Sequence, residues 1–309
     1  KVMIICPTRE LAEQVATELR KFSKYKEGIK IAPIYGGQPI DRQIQLLKRG
    51  CAIVVGTPGR IMDHLRRRTL RLTECDMVIL DEADEMLNMG FKEDIEEILK
   101  SLPEEKHPQT ILFSATMPNE IMKITKKFQV DPVKVQIKSS QRTIDTVDQY
   151  YYEVPRGKKL NALRVLLNHY DPDLCMIFCN TKRMVDELCE ELNHCGIRSV
   201  GLHGDMKQAA RDRVMYQFRE RKCSILIATD VAARGIDVDD ISLVVNFDIP
   251  QDHEYYIHRV GRTGRAGKKG KAITLLSAKR QLKELKEIMY DTKTNIVKRM
   301  LPTSEQLEA

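Results

Sequence analysis

The chain has 309 residues, no tryptophan and a formal net charge of +7, from 51 Lys and Arg against 44 Asp and Glu. At roughly 150 residues per domain, this length predicts two domains. Hydrophobic residues make up 42% and charged residues 31%, which excludes a disordered or low-complexity chain. No apolar run approaches the roughly 18 residues of a membrane span. Residues 1–8 run directly into a strand-like segment, so no targeting peptide is predicted.

Eight cysteines are scattered along the chain without a CxxC pair, which is typical of buried, reduced thiols in a cytosolic protein. A zinc site of Cys189, His194 and Cys195 stays open as an alternative, although its spacing matches no common ligand pattern. The mildly basic charge permits nucleic-acid binding. Because the chain has only 7 Phe and 10 Tyr, contacts to the nucleic-acid backbone are favoured over base stacking.

Short apolar, β-rich runs alternate with longer helical patterns. Strands are predicted at residues 2–6, 53–55, 77–80, 110–113, 175–179, 224–228, 243–246 and 272–276, with a further β-like segment starting near Val147. Apolar residues share one helical face in residues 183–195 and again in residues 282–289. This alternation predicts parallel sheets with helices on both faces.

The order of these segments repeats along the chain. Thr8 and Thr57 each follow a predicted strand and are 49 positions apart, while Thr181 and Thr229 do the same 48 positions apart. Such spacing predicts a duplicated α/β unit, with ligand groups beyond the carboxyl ends of the strands. The predicted organisation is a first domain at residues 1–138, a polar linker at 139–146 and a second domain at 147–309.

The most informative local feature is the acidic segment Asp81-Glu82-Ala83-Asp84, which follows the predicted strand 77–80. Adjacent carboxylates at the ligand edge of a sheet suit Mg²⁺ and a water molecule. Asp81 would hold the hydrated metal and Glu82 would orient or deprotonate the attacking water. The alternative interpretation, an acidic helix start that complements the helix dipole, stays open.

A second segment, residues 258–265, places three arginines at intervals of three with two glycines. Planar guanidinium groups bind phosphate oxygens in a bidentate manner and can stabilise phosphoryl-transfer charge. The alternative is a basic loop with salt bridges. His258 taken alone is more typical of a structural histidine.

Two further segments follow predicted strands. In residues 228–237, Thr229 is a candidate donor to a phosphate and Asp237 a candidate acceptor from a ribose hydroxyl. In residues 114–116, Ser114 and Thr116 either bridge to Asp84 or cap a helix, and this segment alone favours the cap.

Taken together, these segments resemble the DEAD-box ATP-dependent RNA helicases of superfamily 2, of a bacterial type, over nearly the whole chain. Asp81–Asp84 spells the name of the family. The other segments that match its motifs, in chain order, are residues 7–11, Gly36-Gly37, residues 57–60, 114–116, 203–206 with Gln208 and Arg211, 228–237 and 258–265.

The resemblance implies an α/β fold of two tandem RecA-like lobes with parallel sheets flanked by helices. It implies a cytoplasmic enzyme that uses ATP and Mg²⁺ and binds single-stranded RNA or short RNA duplexes through backbone and 2′-hydroxyl contacts, with tolerance for sequence. No membrane partner is implied, and the chain names no partner protein. The implied catalytic residues are Asp81 (which holds Mg²⁺ through water), Glu82, His258, Arg262 and Arg265; the coupling residues are Asp84, Ser114 and Thr116; the nucleotide-binding residues are Gly235, Asp237, Arg262 and Arg265; and the RNA-binding residues are Pro7, Thr8, Arg9, Gly37, Thr57, Gly59, Arg60, Gln208, Arg211 and Thr229.

One departure from the family pattern is clear. Residues 1–309 contain neither the family's first, Gln-containing motif nor its Walker A loop, G-x-x-x-x-G-K-[ST]. We therefore expect a fragment truncated before the first RNA-binding motif, with an incomplete first lobe that has unpaired strand edges, is less stable than the second and hydrolyses ATP poorly. A non-hydrolysing RNA clamp and a superfamily 2 DNA helicase are the alternative functions.

Overall fold

The computed structural model describes residues 1–136, 146–236, 238, 240–265 and 268–302. The chain divides into two compact units. The first contains Lys1–Gln136 together with the short segment Arg234–Ile236, and the second contains the other described residues. The end of the predicted first domain at residue 138, residues 139–145 of the predicted linker and the candidate Asp237 lie outside the described residues.

The first unit alternates strands and helices along its whole length. Its elements are β1 (Val2–Ile5), α1 (Arg9–Phe22), β2 (Ile31–Ile34), α2 (Ile40–Lys48), β3 (Ile53–Gly56), α3 (Pro58–Arg66), β4 (Met77–Leu80), α4 (Ala83–Asn88), α5 (Lys92–Lys100), β5 (Gln109–Leu112) and α6 (Asn119–Phe128). The five strands form one parallel sheet in the order β2-β3-β1-β4-β5. Met3 and Ile5 enter the core on one face of β1, and Ile4 and Cys6 enter the core on the other. Burial on both faces explains the uninterrupted apolar run of this strand.

The second unit follows the same alternation with more strands. Its elements are β6 (Val147–Glu153), α7 (Lys159–Tyr170), β7 (Cys175–Phe178), α8 (Lys182–His194), β8 (Ser199–Leu202), α9 (Gln208–Arg219), β9 (Ile225–Ala228), α10 (Asp230–Ala233), β10 (Leu243–Asn246), α11 (His253–Val260), β11 (Gly270–Leu276), α12 (Lys279–Thr292) and β12 (Val297–Arg299). The seven strands form a parallel sheet in the order β12-β6-β11-β10-β7-β9-β8. All four residues of β7, β9 and β10 are buried, so these strands are the centre of the second core.

Threonines at equivalent positions of the two units start helices directly after strands. Thr8 Oγ1 accepts a hydrogen bond from the backbone N–H of Leu11 at 3.2 Å, and Thr181 Oγ1 accepts one from Met184 N–H at 3.2 Å. These N-caps begin α1 after β1 and α8 after β7. The caps therefore bring helix N-termini to the carboxyl edge of each sheet.

The predicted fold class is confirmed, since both units are parallel α/β sheets flanked by helices. Every predicted strand is present, with ends that differ by at most two residues. Three strands were missed: β2, β8 and β12. Pro33 in β2 and Gly201 in β8 weaken the β pattern, and both strands lie at sheet edges, where proline and glycine are tolerated. All three residues of β12 are exposed, so this strand has no apolar signal.

All eight cysteines are free thiols, and five of them are buried: Cys6, Cys75, Cys175, Cys179 and Cys223. Burial raises the pKa of the Cys175 thiol well above its usual range. Cys195 is exposed because it follows the last turn of α8. No cluster of three His, Cys, Asp or Glu residues suitable for a metal ion occurs in the part of the chain that the structure describes.

None of the helices among the described residues combines the length and apolar character needed to cross a bilayer.

Candidate functional site

In the first unit, three adjacent strands deliver polar segments to one edge of the sheet. Pro7, Thr8 and Arg9 follow β1, Gly36-Gly37 follows β2, and residues 57–60 follow β3. The strands β2, β3 and β1 are neighbours in register, because Gly56 pairs with Ile34 on one side and with Ile5 on the other. The first-unit candidates for RNA binding are therefore brought together at the carboxyl edge of these strands.

Two arginines face this edge. The guanidinium of Arg9 lies over Gly36, with its Nη2 3.2 Å from the point that a Cβ would occupy, so a side chain at position 36 would crowd it. Burial lowers the pKa of Arg60, and the nearby positive charge of Arg9 lowers it further. The next residue, Gly37, has a φ of +81°, which favours glycine. Two close guanidinium groups beside a glycine turn are suited to an anionic ligand.

The acidic segment follows β4. Glu82 has a φ of +49°, a left-handed conformation that costs about 1–3 kcal/mol in a residue with a side chain. Its N–H donates to Asp81 Oδ1 at 3.1 Å. Burial raises the pKa of Asp81. The alternative interpretation of this segment as an acidic helix start also agrees with the structure, because α4 begins at Ala83 with two acidic residues in its first turn.

Asp84 connects the acidic segment to the loop after β5. Its Oδ2 accepts hydrogen bonds from both the backbone N–H and the hydroxyl of Thr116, each at 2.8 Å. Its Oδ1 accepts from Glu85 N–H at 3.1 Å, and the side chain is buried. The Ser114 hydroxyl donates to the carbonyl of Thr116 at 2.5 Å. The helix-cap interpretation favoured by residues 114–116 alone is therefore wrong, since Pro118 occupies the N-cap of α6.

In the second unit, candidate residues follow β8 and β9, which are also adjacent. Gln208 begins α9 and donates to Asp212 Oδ1 at 2.8 Å, and Arg211 donates from Nη1 to the carbonyl of His203 at 3.2 Å. Thr229 accepts from Ala232 N–H at 3.4 Å at the start of α10. These three candidates share the carboxyl edge of β8 and β9.

The arginine-rich segment begins on α11, and its first arginine is almost fully buried. Arg259 forms a bidentate pair with Asp230, with Nε to Oδ1 at 2.6 Å and Nη2 to Oδ2 at 2.7 Å. It also donates to Asn180 Oδ1 at 3.0 Å and to the carbonyl of Asp248 at 2.6 Å. Its guanidinium lies 5.1 Å from the centre of the Phe178 ring. Arg259 thus links four segments of the second unit.

Four other residues of this segment are half-buried, namely His258, Gly261, Arg262 and Arg265, whereas Val260, Thr263 and Gly264 are buried. Arg265 donates from Nε to the carbonyl of Gly261 at 2.9 Å, which closes the turn after α11. Gly264 has a φ of +70°, a left-handed conformation that favours glycine, and Gly235, in the segment Arg234–Ile236 of the first unit, has one of +66°. His258 lies on α11 with its ring 6.3 Å from that of Tyr255, and Arg262 follows the end of the helix.

Comparison with known families agrees with this arrangement. Residues 1–124 match the DEAD/DEAH box helicase family, and residues 158–267 match the helicase conserved C-terminal domain. The first match contains the acidic segment and the loop after β5, and the second contains the arginine-rich segment. The chain belongs to the DEAD-box helicase family.

Its relatives include bacterial helicases that are considerably longer. The chain is 52% identical over 259 residues to the DEAD-box ATP-dependent RNA helicase CshA of Bacillus cereus, covering 84% of this chain and 49% of that protein. It is 49% identical over 261 residues to CshA of Bacillus subtilis, covering 84% of this chain and 52% of that protein. The chain therefore spans about half the length of the curated relatives it matches.

Solved DEAD-box structures share the fold. The S. cerevisiae Dbp5 structure bound to RNA and ADP BeF3 superposes with a TM-score of 0.86 at 29% identity, covering 100% of this chain and 79% of that one. A DEAD box protein from the hyperthermophile Methanococcus jannaschii gives a TM-score of 0.54 at 45% identity, covering 97% of this chain and 80% of that one.

Sequence reasoning missed several polar residues beside the DEAD-box motifs. Gln43 and His64 are buried in the first unit, and Asp230 pairs with Arg259 in the second. Two of these residues could have been recognised from the sequence as polar residues at positions where an amphipathic helix is expected to face the core. They are Gln43 on α2 and His64 on α3.

Proposed function

We propose that this chain is the two-lobe body of an RNA-dependent ATPase that remodels short RNA duplexes. The proposed lobes are residues 1–138 and 147–309, joined by a linker at 139–146. The observation that carries the proposal is the pair of hydrogen bonds from Thr116 to Asp84, because they connect an acidic segment suited to hydrolysis with a separate loop. Membership of the DEAD-box family supports the same activity.

The proposed ATPase chemistry begins at the acidic segment. The donor set fits Mg²⁺: carboxylate oxygen is a preferred ligand, Asp81 is partly buried, and no cation pairs with it among the described residues. Asp81 would hold the ion through water, and the ion would supply positive charge beside the phosphates. Glu82 would orient the attacking water or accept its proton.

In the second unit, we assign phosphate binding to Arg262 and Arg265, whose guanidinium groups would stabilise the charge of the transferring phosphate. His258 would support these arginines from α11. Gly235 and Asp237 would bind the nucleotide, with Asp237 accepting from the ribose. We assign coupling between nucleotide and RNA to Asp84, Ser114 and Thr116.

We assign RNA binding to both units. The first unit would contribute Pro7, Thr8, Arg9, Gly37, Thr57, Gly59 and Arg60, and the second Gln208, Arg211 and Thr229. Hydroxyls, glycine N–H groups and guanidiniums contact phosphates and sugars rather than base edges, so binding should tolerate sequence and weaken with salt. We also infer a cytoplasmic location, which the eight free thiols support.

The test measures phosphate release and RNA binding by the same chain. A single-stranded oligo-U RNA and an oligonucleotide of DNA are compared, with Glu82→Gln as the matched variant. We expect RNA, and not DNA, to stimulate release, and we expect Glu82→Gln to abolish release while RNA remains bound. Equal stimulation by DNA would instead identify a DNA helicase, and a wild-type chain that binds no RNA would refute the proposal.

In the same experiment, RNA binding without RNA-stimulated phosphate release would instead indicate a non-hydrolysing RNA clamp.

A further inference from the structure

The buried side chain of Gln43, on α2, contacts the end of the β2 segment and α3. It lies at the sheet edge that carries the first-unit candidates for RNA binding. Its Nε2 donates to the carbonyl of Tyr35 at 2.9 Å, directly before the Gly36-Gly37 turn. Its Oε1 lies 3.1 Å from Arg60 Nη1 and 3.1 Å from His64 Nε2. Gln43 is 5% exposed; its contact with His64 is buried, and those with Tyr35 and Arg60 are partly buried.

The partners fix the orientation of the amide. A carbonyl only accepts, so the group facing Tyr35 O must be the NH₂ of Gln43. Oε1 then faces two donors, because a guanidinium has no acceptor and His64 must present an N–H at Nε2. His64 Nδ1 lies 2.8 Å from Thr69 Oγ1 and accepts from that hydroxyl in the neutral ring. Burial lowers the pKa of His64, in agreement with this neutral tautomer.

Among the described residues, the hydrogen-bond acceptors of Arg60 both contact its Nη1. Its Nη1 donates to Gln43 Oε1 and also to the carbonyl of Gln38 at 3.1 Å. The side chain is 15% exposed, and its nearest carboxylate, Asp63, lies 3.9 Å from Nε. Both strong acceptors of Nη1 belong to α2 and the loop that precedes it. The plane of the guanidinium is therefore set by Gln38 and Gln43 rather than by an ion pair.

We propose that Gln43 is a positioning residue for RNA binding, which orients the Arg60 guanidinium and the Gly36-Gly37 turn toward one phosphate of the RNA backbone. The inference rests on the proposed RNA-binding function. Gln43 itself is buried and touches no ligand. Its amide is suited to this role because, unlike a carboxylate, it accepts from Arg60 without neutralising the positive charge that a phosphate needs.

The first test replaces the amide with an apolar side chain of similar size. In Gln43→Leu, Arg60 loses an acceptor and is free to turn away, so the Kd for a fluorescent oligo-U RNA should rise about fivefold. The slope of log Kd against log salt should fall by about 0.7, the value for one lost phosphate contact on a single strand. The matched control is Gln129→Leu, which also removes an amide that donates to a backbone carbonyl, here Thr110 O at 3.0 Å, but lies beside β5. It should leave both Kd and slope unchanged.

A double-mutant comparison separates positioning from general stability. In an Arg60→Ala background, Gln43→Leu should change the RNA Kd by less than about twofold, because the group it orients is already gone. An equal loss in both backgrounds would overturn the proposal. If the wild-type chain binds no RNA, the proposed function itself fails. If it binds and Gln43→Leu keeps the wild-type Kd and salt slope, only the positioning role fails.

A second variant, Gln43→Glu, keeps an oxygen that accepts from Arg60 and His64, although the carbonyl of Tyr35 loses its donor, as it does in Gln43→Leu. Its negative charge beside Arg60 should weaken RNA binding, so the ratio of the variant Kd to the wild-type Kd should exceed one at about pH 8. The other ionisable groups around this position are Arg9, Asp63 and His64. The comparison is made at about pH 8 alone, because the new carboxylate would also raise the pKa of His64, whose Nε2 faces it. A ratio of one at pH 8 would overturn the proposal.

Discussion

The two units use the same strand order but differ in how far it extends. In the first, β2-β3-β1-β4-β5 ends at β5; in the second, the equivalent series β8-β9-β7-β10-β11 continues to β6 and β12. Val147–Glu153 pairs with β11 along seven residues, whereas β5 has no such neighbour among the described residues. The second sheet therefore extends two strands beyond the shared series, and its strand β11 is covered by β6.

The difference is also visible in the side chains beside β5. Phe113 is 57% exposed, and Val133 and Val135 are 89% and 85% exposed. Residues 132–136 alternate apolar and polar side chains but form no strand. Because the edge of β5 is open and these apolar side chains are exposed, folding of the first unit removes less apolar surface area from water. Stability should therefore be concentrated in the second unit.

Each unit buries a charged pair, Arg234–Glu85 in the first and Arg259–Asp230 in the second, but one further arginine of the first unit is held differently. The second buries the charged pair Arg259–Asp230, with the arginine 1% exposed. The first instead holds its candidate arginine with a neutral amide, from Gln43, and a backbone carbonyl. A fixed structural arginine is suited to an ion pair, whereas an arginine whose positive charge must remain available to a ligand is suited to neutral acceptors.

The largest expected effect comes from breaking the charged pair. Arg259→Ala leaves Asp230 without its partner and removes five hydrogen bonds, so the free energy of unfolding of the second unit should fall by about 3–5 kcal/mol. Urea denaturation followed by far-UV circular dichroism measures this change.

Arg183→Ala is the control for that variant. Its ion pair with Glu187 spans one helical turn, and the arginine side chain is 85% exposed, so its loss should change the free energy of unfolding far less than the loss of Arg259. Comparable losses for Arg259→Ala and Arg183→Ala would show that burial does not distinguish the two pairs.

The next expectation concerns the wild-type chain. The first unit is smaller and has the open edge, so it should unfold first, with a free energy of unfolding lower by roughly 3 kcal/mol. Amide hydrogen exchange should show faster global exchange for β4 than for β10, the strand at the equivalent place in the second sheet. Equal protection of β4 and β10 would contradict the lower stability expected for the first unit.

Much of this fold followed from the sequence because buried parallel strands are uninterrupted apolar runs. The strands 77–80 and 243–246 have the predicted bounds. The edge strands β2 and β8 were missed since proline and glycine interrupt them. Strand order had no local signal, because which strand pairs with β5 or β11 depends on contacts distant in sequence.

The candidate residues were predictable to the extent that they follow strands. What spacing did not predict was the partner of each side chain. Asp84 was singled out together with Thr116, yet the choice between a bridge and a helix cap needed the backbone path of residues 114–118. The amide of Gln43 had no motif at all, because its role depends on α2, the residues after β2 and α3, which meet only in the folded chain.

A smaller effect is expected at the bridge between Asp84 and Thr116. Asp84→Ala leaves the N–H and hydroxyl of Thr116 without their acceptor, so the first unit should lose about 2 kcal/mol. Hydrogen exchange at residues 114–116 should accelerate together with that of the whole unit. Adding Thr116→Val to Asp84→Ala should cost little more, because the two side chains share one interaction. Full additivity would show that the bridge does not contribute to stability.

The smallest expected effect is a pH dependence at Asp81. Burial raises the pKa of this carboxyl, so the folded chain holds the proton more tightly than the unfolded chain, whose pKa is about 3.9. By linkage, the contribution of Asp81 favours folding below that value and is lost as the pH rises through the folded pKa. Asp81→Asn removes this titration. The variant should therefore gain stability relative to the wild type between about pH 3 and pH 7, by less than the loss in Asp84→Ala.

Glu120→Gln provides a control of opposite sign in the same unit. Hydrogen bonds from Lys123 and Lys92 lower the pKa of Glu120 to about 2, so its contribution is present above the unfolded pKa and is lost as the pH falls toward 2. Relative to the wild type, this variant should be slightly less stable at neutral pH and equal in acid. Urea midpoints for both variants across this range measure the two trends. Parallel trends would mean that burial does not govern the ionisation of Asp81, and the first unit would lose the electrostatic feature that suits this carboxylate to a divalent cation.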